Sequence, residues 1–121
     1  MEAKELMIGD KVMVKVLSQI PDTYVLHTWT ANDYSRDIQV KPAPLTPEIL
    51  EKNGFIKVNS QRYDYGYPDT DCYVKVNPKK NMIHVNGRNA NSNLYSHSFV
   101  HQIQQALRLC GFNDLANNFK L

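Results

Sequence analysis

Residues 98–110 read SFVHQIQQALRLC, and this stretch decides the fold. Its apolar residues recur at intervals of three or four positions, the spacing that aligns them on one face of an α-helix. Gly111 follows directly and is predicted to end the helix. An apolar face of this kind needs a second layer to pack against, which the rest of the chain must supply. The residues of this face are Phe99, Val100, Ile103, Ala106, Leu107 and Cys110.

Upstream of this helix the sequence favours strands. Val12, Val14 and Val16 occupy every second position, which is the period of a β-strand. Two later strands flank residues 77–81 and predict a hairpin with a basic tip. Residues 86–93 are small and polar, and we predict a loop there. Besides 11–16, strands are predicted at about 23–30, 38–41, 55–58, 61–67, 73–76 and 82–85.

A short central helix is predicted to begin at Thr46. Thr46 suits the N-cap, Pro47 suits the first helical position, and the Glu48 carboxylate complements the positive end of the helix. Asn53-Gly54 is predicted to end it, because glycine readily takes the left-handed conformation of a helix C-terminus. The elements together predict an α+β domain: a twisted antiparallel sheet of about five to seven strands, covered by the C-terminal helix.

Length and composition predict one folded domain. The chain has 121 residues, with 42% hydrophobic and 21% charged residues, which are values of ordinary globular proteins. We therefore predict a single domain over residues 1–121 and exclude a disordered chain. The beginning of the sequence shows no secretory signal, and no apolar run is long enough to span a membrane. These features predict a cytoplasmic protein without membrane contact, in which Cys72 and Cys110 remain thiols.

Charge is distributed unevenly along the chain. Residues 1–71 contain eight Lys/Arg and eleven Asp/Glu, a balance of −3, and residues 72–121 contain six and one, a balance of +5, giving the total of +2. Basic residues together with aromatic rings are typical of sites for single-stranded nucleic acid. Nucleic-acid binding is therefore one hypothesis. Its contacts would be Lys75, Lys79, Lys80 and Arg88, with stacking on Tyr63, Tyr65, Tyr67 or Trp29, although tyrosines at alternate strand positions also pack in cores.

No pattern predicts a catalytic or metal site. His97 and His101 are four residues apart, but no Glu follows His97 and no third ligand is evident. Residues 69–71 read DTD without the Gly and the closing Glu of a calcium loop. Cys110 lies on the apolar face of the helix and is predicted to be core, and Cys72 belongs to no Cys–His signature. We expect no cofactor and no metal, and an enzyme with an unrecognised site is a further alternative.

The polar side of the C-terminal helix is the main candidate surface. It carries His101, Gln104, Gln105 and Arg108 and no carboxylate. We predict that these side chains point to water and bind a host protein or a small anionic ligand. The alternative is that they form the ordinary polar outside of a helix that covers a sheet.

Three blocks of the sequence resemble a family of small uncharacterised proteins. The blocks are ELMIGD at 5–10, PLTPEIL at 44–50 with GF at 54–55, and FVHQIQ at 99–104. The family, common in Bacteroidetes genomes and in their phages and mobile elements, shows ELRIGN, PLTEExL with a following GF, and YVHQLQ in the same order. Met7, Asp10 and the ending 113–121 depart from its pattern. The family has no established activity, substrate or cofactor, so the resemblance implies an intracellular, mobile-element context. We therefore expect a non-enzymatic binding module of phage or mobile-element origin.

Overall fold

The computed structural model describes residues 5–16, 24–35, 38–60, 62–66, 73–78, 82–87, 90–95 and 99–121. Within these ranges the chain forms strands β1 to β8, helices α1 to α3 and one 3-10 helix at Ala31–Ser35. The strands are β1 Lys11–Val16, β2 Val25–Thr28, β3 Ile38–Pro42, β4 Ile56–Asn59, β5 Arg62–Gly66, β6 Tyr73–Asn77, β7 Met82–Gly87 and β8 Ala90–Tyr95. The helices are α1 Pro47–Lys52, α2 Val100–Leu109 and α3 Asn113–Asn117.

The strands form two antiparallel sheets. The first has three strands in the order β2-β1-β3, and the second has five strands in the order β4-β5-β6-β7-β8. The predicted α+β class is confirmed, but the single sheet of about five to seven strands is replaced by two sheets. The division falls after β3, where Pro42 and Pro44 remove backbone donors and the chain turns into α1.

The loop predicted at residues 86–93 is wrong. β7 continues to Gly87, and β8 pairs with it in antiparallel register, with Asn93 opposite His84 and Ala90 opposite Gly87. The asparagines of this stretch have little intrinsic preference for strands. Pairing with β7 nonetheless satisfies the hydrogen-bonding capacity of their backbone groups. The strand propensity of single residues does not include such pairing between distant segments.

Helix α1 has the predicted ends. The Thr46 side chain accepts a hydrogen bond from the Ile49 backbone at 3.3 Å, and Pro47 is the first helical residue. Gly54 has a φ of +86° after the helix, and the Phe55 N–H donates to the Leu50 carbonyl at 3.0 Å. The left-handed glycine reverses the chain, which lets β4 begin directly after the helix.

The apolar face of α2 is buried as predicted except at Phe99, which is the N-cap, is partly exposed and lies outside the core cluster. Val100, Ile103, Ala106 and Leu107 are each 0% exposed, and they share one core cluster with the inward-facing residues of β6 and β7. Cys110 is in the same core, and its thiol donates to the Tyr73 carbonyl at 3.5 Å. The inward-facing strand residues are Val74, Val76, Ile83 and Val85.

The three-stranded sheet contacts α2 through β1. Met13 of β1 packs against the main cluster, while Val12 and Val14 face a second, smaller cluster that contains Leu6 and Trp29. α2 contacts both β1 and β7, so it connects the two sheets. Among the residues that the structure covers, no helix has the length and hydropathy needed to cross a membrane.

Candidate functional site

Most of the polar side of α2 does not face water, although Gln105 stays partly exposed. Gln104 is 0% exposed, His101 is 6% exposed and the Arg108 side chain is 11% exposed. Their predicted exposure is therefore wrong, because the segment that leads into β1 and helix α3 cover this side of the helix. The sequence analysis placed no segment there and so left this side uncovered.

Gln104 bonds to the backbone of two other segments. Its Oε1 accepts from the Lys11 N–H at 2.7 Å, and its Nε2 donates to the carbonyls of Gly9 at 2.9 Å and Ala116 at 2.8 Å. The amide thus uses its acceptor and both donors inside the protein. It joins the entry to β1, α2 and α3.

The Asp10 carboxylate accepts hydrogen bonds from other polar groups on this side of α2. Its Oδ1 accepts from Arg108 Nη1 at 2.5 Å, and its Oδ2 accepts from Gln105 Nε2 at 2.8 Å and from the Met7 N–H at 2.9 Å. Asp10 is 0% exposed, so its charge is matched within the fold. These contacts are internal to the protein, and the role of His101, Gln104, Gln105 and Arg108 in binding stays a prediction.

The His101 imidazole is buried beside the Phe99 ring. Its ring stacks on Phe99, with centroids 6.1 Å apart and planes inclined by 14°. Nδ1 is buried without a hydrogen-bond partner in the described part of the chain. Burial lowers the pKa of His101 below 6.5, and the negative charges of Asp10 and Glu5 oppose this change. His101 is therefore neutral at pH 7.

A second polar cluster caps the 3-10 helix. The Asp33 Oδ2 accepts from His27 Nε2 at 2.6 Å and from the Thr30 N–H and hydroxyl at 2.8 and 2.9 Å. Burial alone would raise the pKa of Asp33, but these hydrogen bonds outweigh it and lower the pKa to about 2. The Thr30–Asp33 contacts are those of a helix N-terminus, which gives the cluster a structural role.

Two of the side chains predicted to stack on bases are buried. Tyr63 is 5% exposed and Trp29 is 1% exposed. Tyr65 packs against Phe55 and Phe112, with ring centroids 5.4 and 5.0 Å away. The stacking predictions for Tyr63 and Trp29 are wrong because Tyr63 lies in the main core and Trp29 in the smaller cluster, while Tyr65 is half-buried against the main core. Residues that lie outside the described ranges are Tyr67, Asp69, Asp71, Cys72, Lys79, Lys80, Arg88 and His97.

The five-stranded sheet has a second face, which we call the outer face. Strand alternation places one set of side chains on α2 and the other set on the opposite side. The two apolar clusters include none of the outer-face residues of β5 to β7. These residues are Arg62, Asp64, Tyr73, Lys75, Asn77, Met82, His84 and Asn86.

A concavity of about 280 Å³ opens on the outer face. Arg62, Lys75 and His84 line it from three adjacent strands, together with Val76, Asn77 and Met82. Arg62 is positioned by Asp64, whose two carboxylate oxygens accept from Nε at 3.1 Å and Nη2 at 3.0 Å. A guanidinium held in this way still has donors directed elsewhere.

Lys75 and His84 both contact Tyr73. The Lys75 ammonium lies 4.9 Å from the centre of the Tyr73 ring, and the His84 ring lies 6.1 Å from it at an inclination of 38°. Lys75 was predicted to bind nucleic acid, and the structure places it on the concavity. Arg62, Tyr73 and His84 were not predicted. The signal in the sequence was their alternation with buried residues on neighbouring strands.

The comparisons do not assign this arrangement to a known group of proteins. The chain matches no family model, no curated protein and no solved structure. In the described residues no group of three or more His, Cys, Asp or Glu side chains is placed to hold a metal ion. The concavity on the outer face is the candidate site.

Proposed function

We propose that this chain is a non-enzymatic binding module of phage or mobile-element origin that binds an anionic ligand on the outer face of its five-stranded sheet. The observation that carries the proposal is the convergence of Arg62, Lys75 and His84 on one concavity of about 280 Å³. This volume is close to the lower end of the range of small-molecule sites, about 300–1,000 Å³. The mobile-element origin rests on the sequence resemblance.

The charge of the outer face favours an anion. Asp64 is the one carboxylate among the residues that define it, and it is already bonded to Arg62. Lys75 has no such neutralising partner among the ion pairs of the described chain, and its ammonium rests on the Tyr73 ring. A ligand oxygen can therefore add a charge-assisted hydrogen bond at Lys75 and a second one at Arg62.

The composition of the concavity supports binding over catalysis. Its described lining combines two cationic side chains and an imidazole with an amide, a thioether and a valine. Hydroxyl, thiol and carboxylate groups, which most covalent and acid–base mechanisms use beside a histidine, are not among these lining residues. The arrangement is suited to hold an anion by the charges of Arg62 and Lys75 and by contact with the methylene groups of these side chains.

The proposal is tested by titrating the ¹⁵N-labelled protein with inorganic pyrophosphate and following backbone amide shifts. We expect saturable shifts centred on Lys75 and His84, and their loss in Lys75→Glu. The matched control is Lys41→Glu on the three-stranded sheet, because the Lys41 ammonium also rests on a tyrosine, 4.1 Å from the ring centre of Tyr24. This control should keep the shifts.

Two outcomes would contradict the proposal. One is the absence of saturable shifts on β5 to β7 at millimolar pyrophosphate. The other is an equal loss of binding in Lys41→Glu and Lys75→Glu, which would indicate nonspecific attraction by net charge.

A further inference from the structure

We infer that the anionic ligand of the outer face is a single-stranded nucleic acid, with bases stacked on Tyr73 and His84 and phosphates paired with Lys75 and Arg62. This inference rests on the proposed function and names the ligand class. It goes beyond an anion site because the outer face offers planar rings as well as charges.

The rings supply a surface for bases. Tyr73 and His84 lie on adjacent strands with their centroids 6.1 Å apart, so a planar ligand that reaches one ring also reaches the other. Stacking on aromatic side chains accepts every base, because each base has a π-face. A small inorganic anion would leave this part of the surface unused.

The cations lie beside the rings. The Lys75 ammonium is 4.9 Å from the Tyr73 ring centre, and Arg62 lines the same concavity on the neighbouring strand. A nucleic-acid strand carries one backbone phosphate for each base attached to its sugars, and the outer face places cations beside rings in the same small area. The complementarity therefore covers both charge and shape.

The length of the surface favours a chain ligand. One register row of the sheet runs through Ile56, Asp64, Lys75, His84 and Asn93, and so crosses all five strands. Four steps of about 4.8 Å between strands give roughly 19 Å across the sheet. Single-strand sites of roughly four or more nucleotides are typical of small domains with such platforms.

A single strand fits this face better than a duplex. Bases in a duplex are paired and stacked on each other, so side chains on a broad sheet cannot slip beneath them. Unpaired bases can turn outward and lie on the rings, which is how other open antiparallel sheets bind RNA. The outer face should therefore discriminate against double-stranded forms of the same sequence.

Fluorescence anisotropy of labelled 12-nucleotide oligo-U and oligo-dT tests the inference with the full chain. We expect Tyr73→Ala to weaken binding about tenfold, since stacking on one ring contributes at that level. Lys75→Ala should reduce the slope of log affinity against log salt by about 1. The matched controls Tyr24→Ala and Lys41→Ala alter the Lys–Tyr contact of the other sheet and should leave affinity and slope unchanged.

Because Tyr73 is half-buried, Tyr73→Leu serves as a second variant that keeps apolar contact and removes the aromatic ring. Urea denaturation confirms that each variant is folded before binding is measured. Weaker oligonucleotide binding by both folded Tyr73 variants supports the inference. Unchanged affinity of a folded Tyr73→Leu variant overturns it, as does equal affinity for the 12-base-pair duplex.

The pyrophosphate titration separates this inference from the proposed function. Saturable pyrophosphate shifts at Lys75 without detectable oligonucleotide binding would overturn the nucleic-acid inference and leave the anion site standing. If neither pyrophosphate shifts nor oligonucleotide binding is detected, both the anion site and the nucleic-acid inference are overturned. Tighter binding of oligo-U than of oligo-dT would assign RNA, and the reverse order would assign DNA, and either order supports the single-strand inference.

Discussion

The carboxylate of Asp10 accepts a hydrogen bond from the guanidinium of Arg108, 98 residues further along the chain. Both groups are removed from water, with Asp10 0% and the Arg108 side chain 11% exposed. A buried pair of this kind contributes little over a well-packed apolar pair, but the loss of one partner leaves the other charge buried and unmatched. The link therefore fixes α2 to the beginning of β1.

Asp10→Ala should lower the free energy of unfolding by about 3–5 kcal/mol, because it leaves the Arg108 charge without its partner. The measurement is urea denaturation at pH 7. Asp114→Ala is the control, since Asp114 is exposed in the first turn of α3 and its removal should cost less than about 1 kcal/mol. Equal midpoints for the two variants would show that the Asp10 link is unimportant for stability.

The double variant Asp10→Ala/Arg108→Met measures the energetic coupling between the two side chains. Removing both charges should cost less than the sum of the single changes, because neither charge is then left unmatched. Simple additivity would contradict the assignment of Asp10 and Arg108 as coupled partners.

Gln104→Leu should destabilise the protein by at least about 2 kcal/mol, although leucine has a similar size. The substitution leaves the Lys11 N–H and the carbonyls of Gly9 and Ala116 without their partner. Each buried group left unsatisfied costs about 1–3 kcal/mol. The exposed Gln39→Leu is the control. Amide hydrogen exchange at Lys11 should accelerate in Gln104→Leu alone, and unchanged exchange there would contradict this role of the amide.

Local signals predicted most of the secondary structure. The N-cap at Thr46, the turn at Asn53-Gly54 and the alternation of valines in β1 depend on neighbouring residues, and the structure confirms them. The loop predicted at residues 86–93 is wrong because β8 forms only by pairing with β7. The division into two sheets was also missed, since the order of strands in space depends on contacts between distant residues.

Of the residues that line the candidate site, the sequence predicted only one. Lys75 was expected to contact a ligand, and it does line the concavity. Gln104 and Arg108 were expected at the surface, because a helix with one apolar face usually covers one sheet and exposes its other side. Here that side bonds to residues 9–11 at the entry to β1 and to α3, so polar residues were required in the interior. A sequence pattern identifies polar side chains but not whether backbone groups or water will be their partners.

Asp33 should make stability sensitive to acid. Its folded-state pKa of about 2 lies below the ordinary value of 3.8, so its contribution is complete above pH 3.8 and is lost as the pH falls towards 2. The difference corresponds to about 2 kcal/mol. Urea denaturation between pH 5 and pH 2 should show a shallower decline in Asp33→Asn, which cannot ionise. Parallel declines in Asp33→Asn and the unmodified protein would contradict the assignment to Asp33.

His101 should add a second pH dependence at higher pH. Its folded-state pKa is lowered below 6.5 by burial, so the unfolded chain takes up a proton first. Stability is then complete above pH 6.5 and falls as the pH drops from there towards the lowered pKa. Asp10 and Glu5 face the imidazole and limit the size of this loss.

His101→Phe should flatten stability between pH 7 and pH 5, because phenylalanine can keep the stacking on Phe99 without a titrating group. At pH 7 the variant should match or exceed the unmodified protein, since the Nδ1 atom that lacks a partner within the described chain is removed. Thermal unfolding at several pH values measures both effects. An unchanged slope would assign the pH dependence to another group.

The bonds from Gln104 to Gly9 and Lys11 also set an order of events during translation. All three strands of the first sheet precede residue 43, yet the groups at its entry find their partner only when residue 104 has left the ribosome. A chain that ends before residue 104 leaves the Lys11 N–H and the Gly9 carbonyl without this partner. The entry to the first sheet therefore reaches its final packing only after the much later α2 has been synthesised.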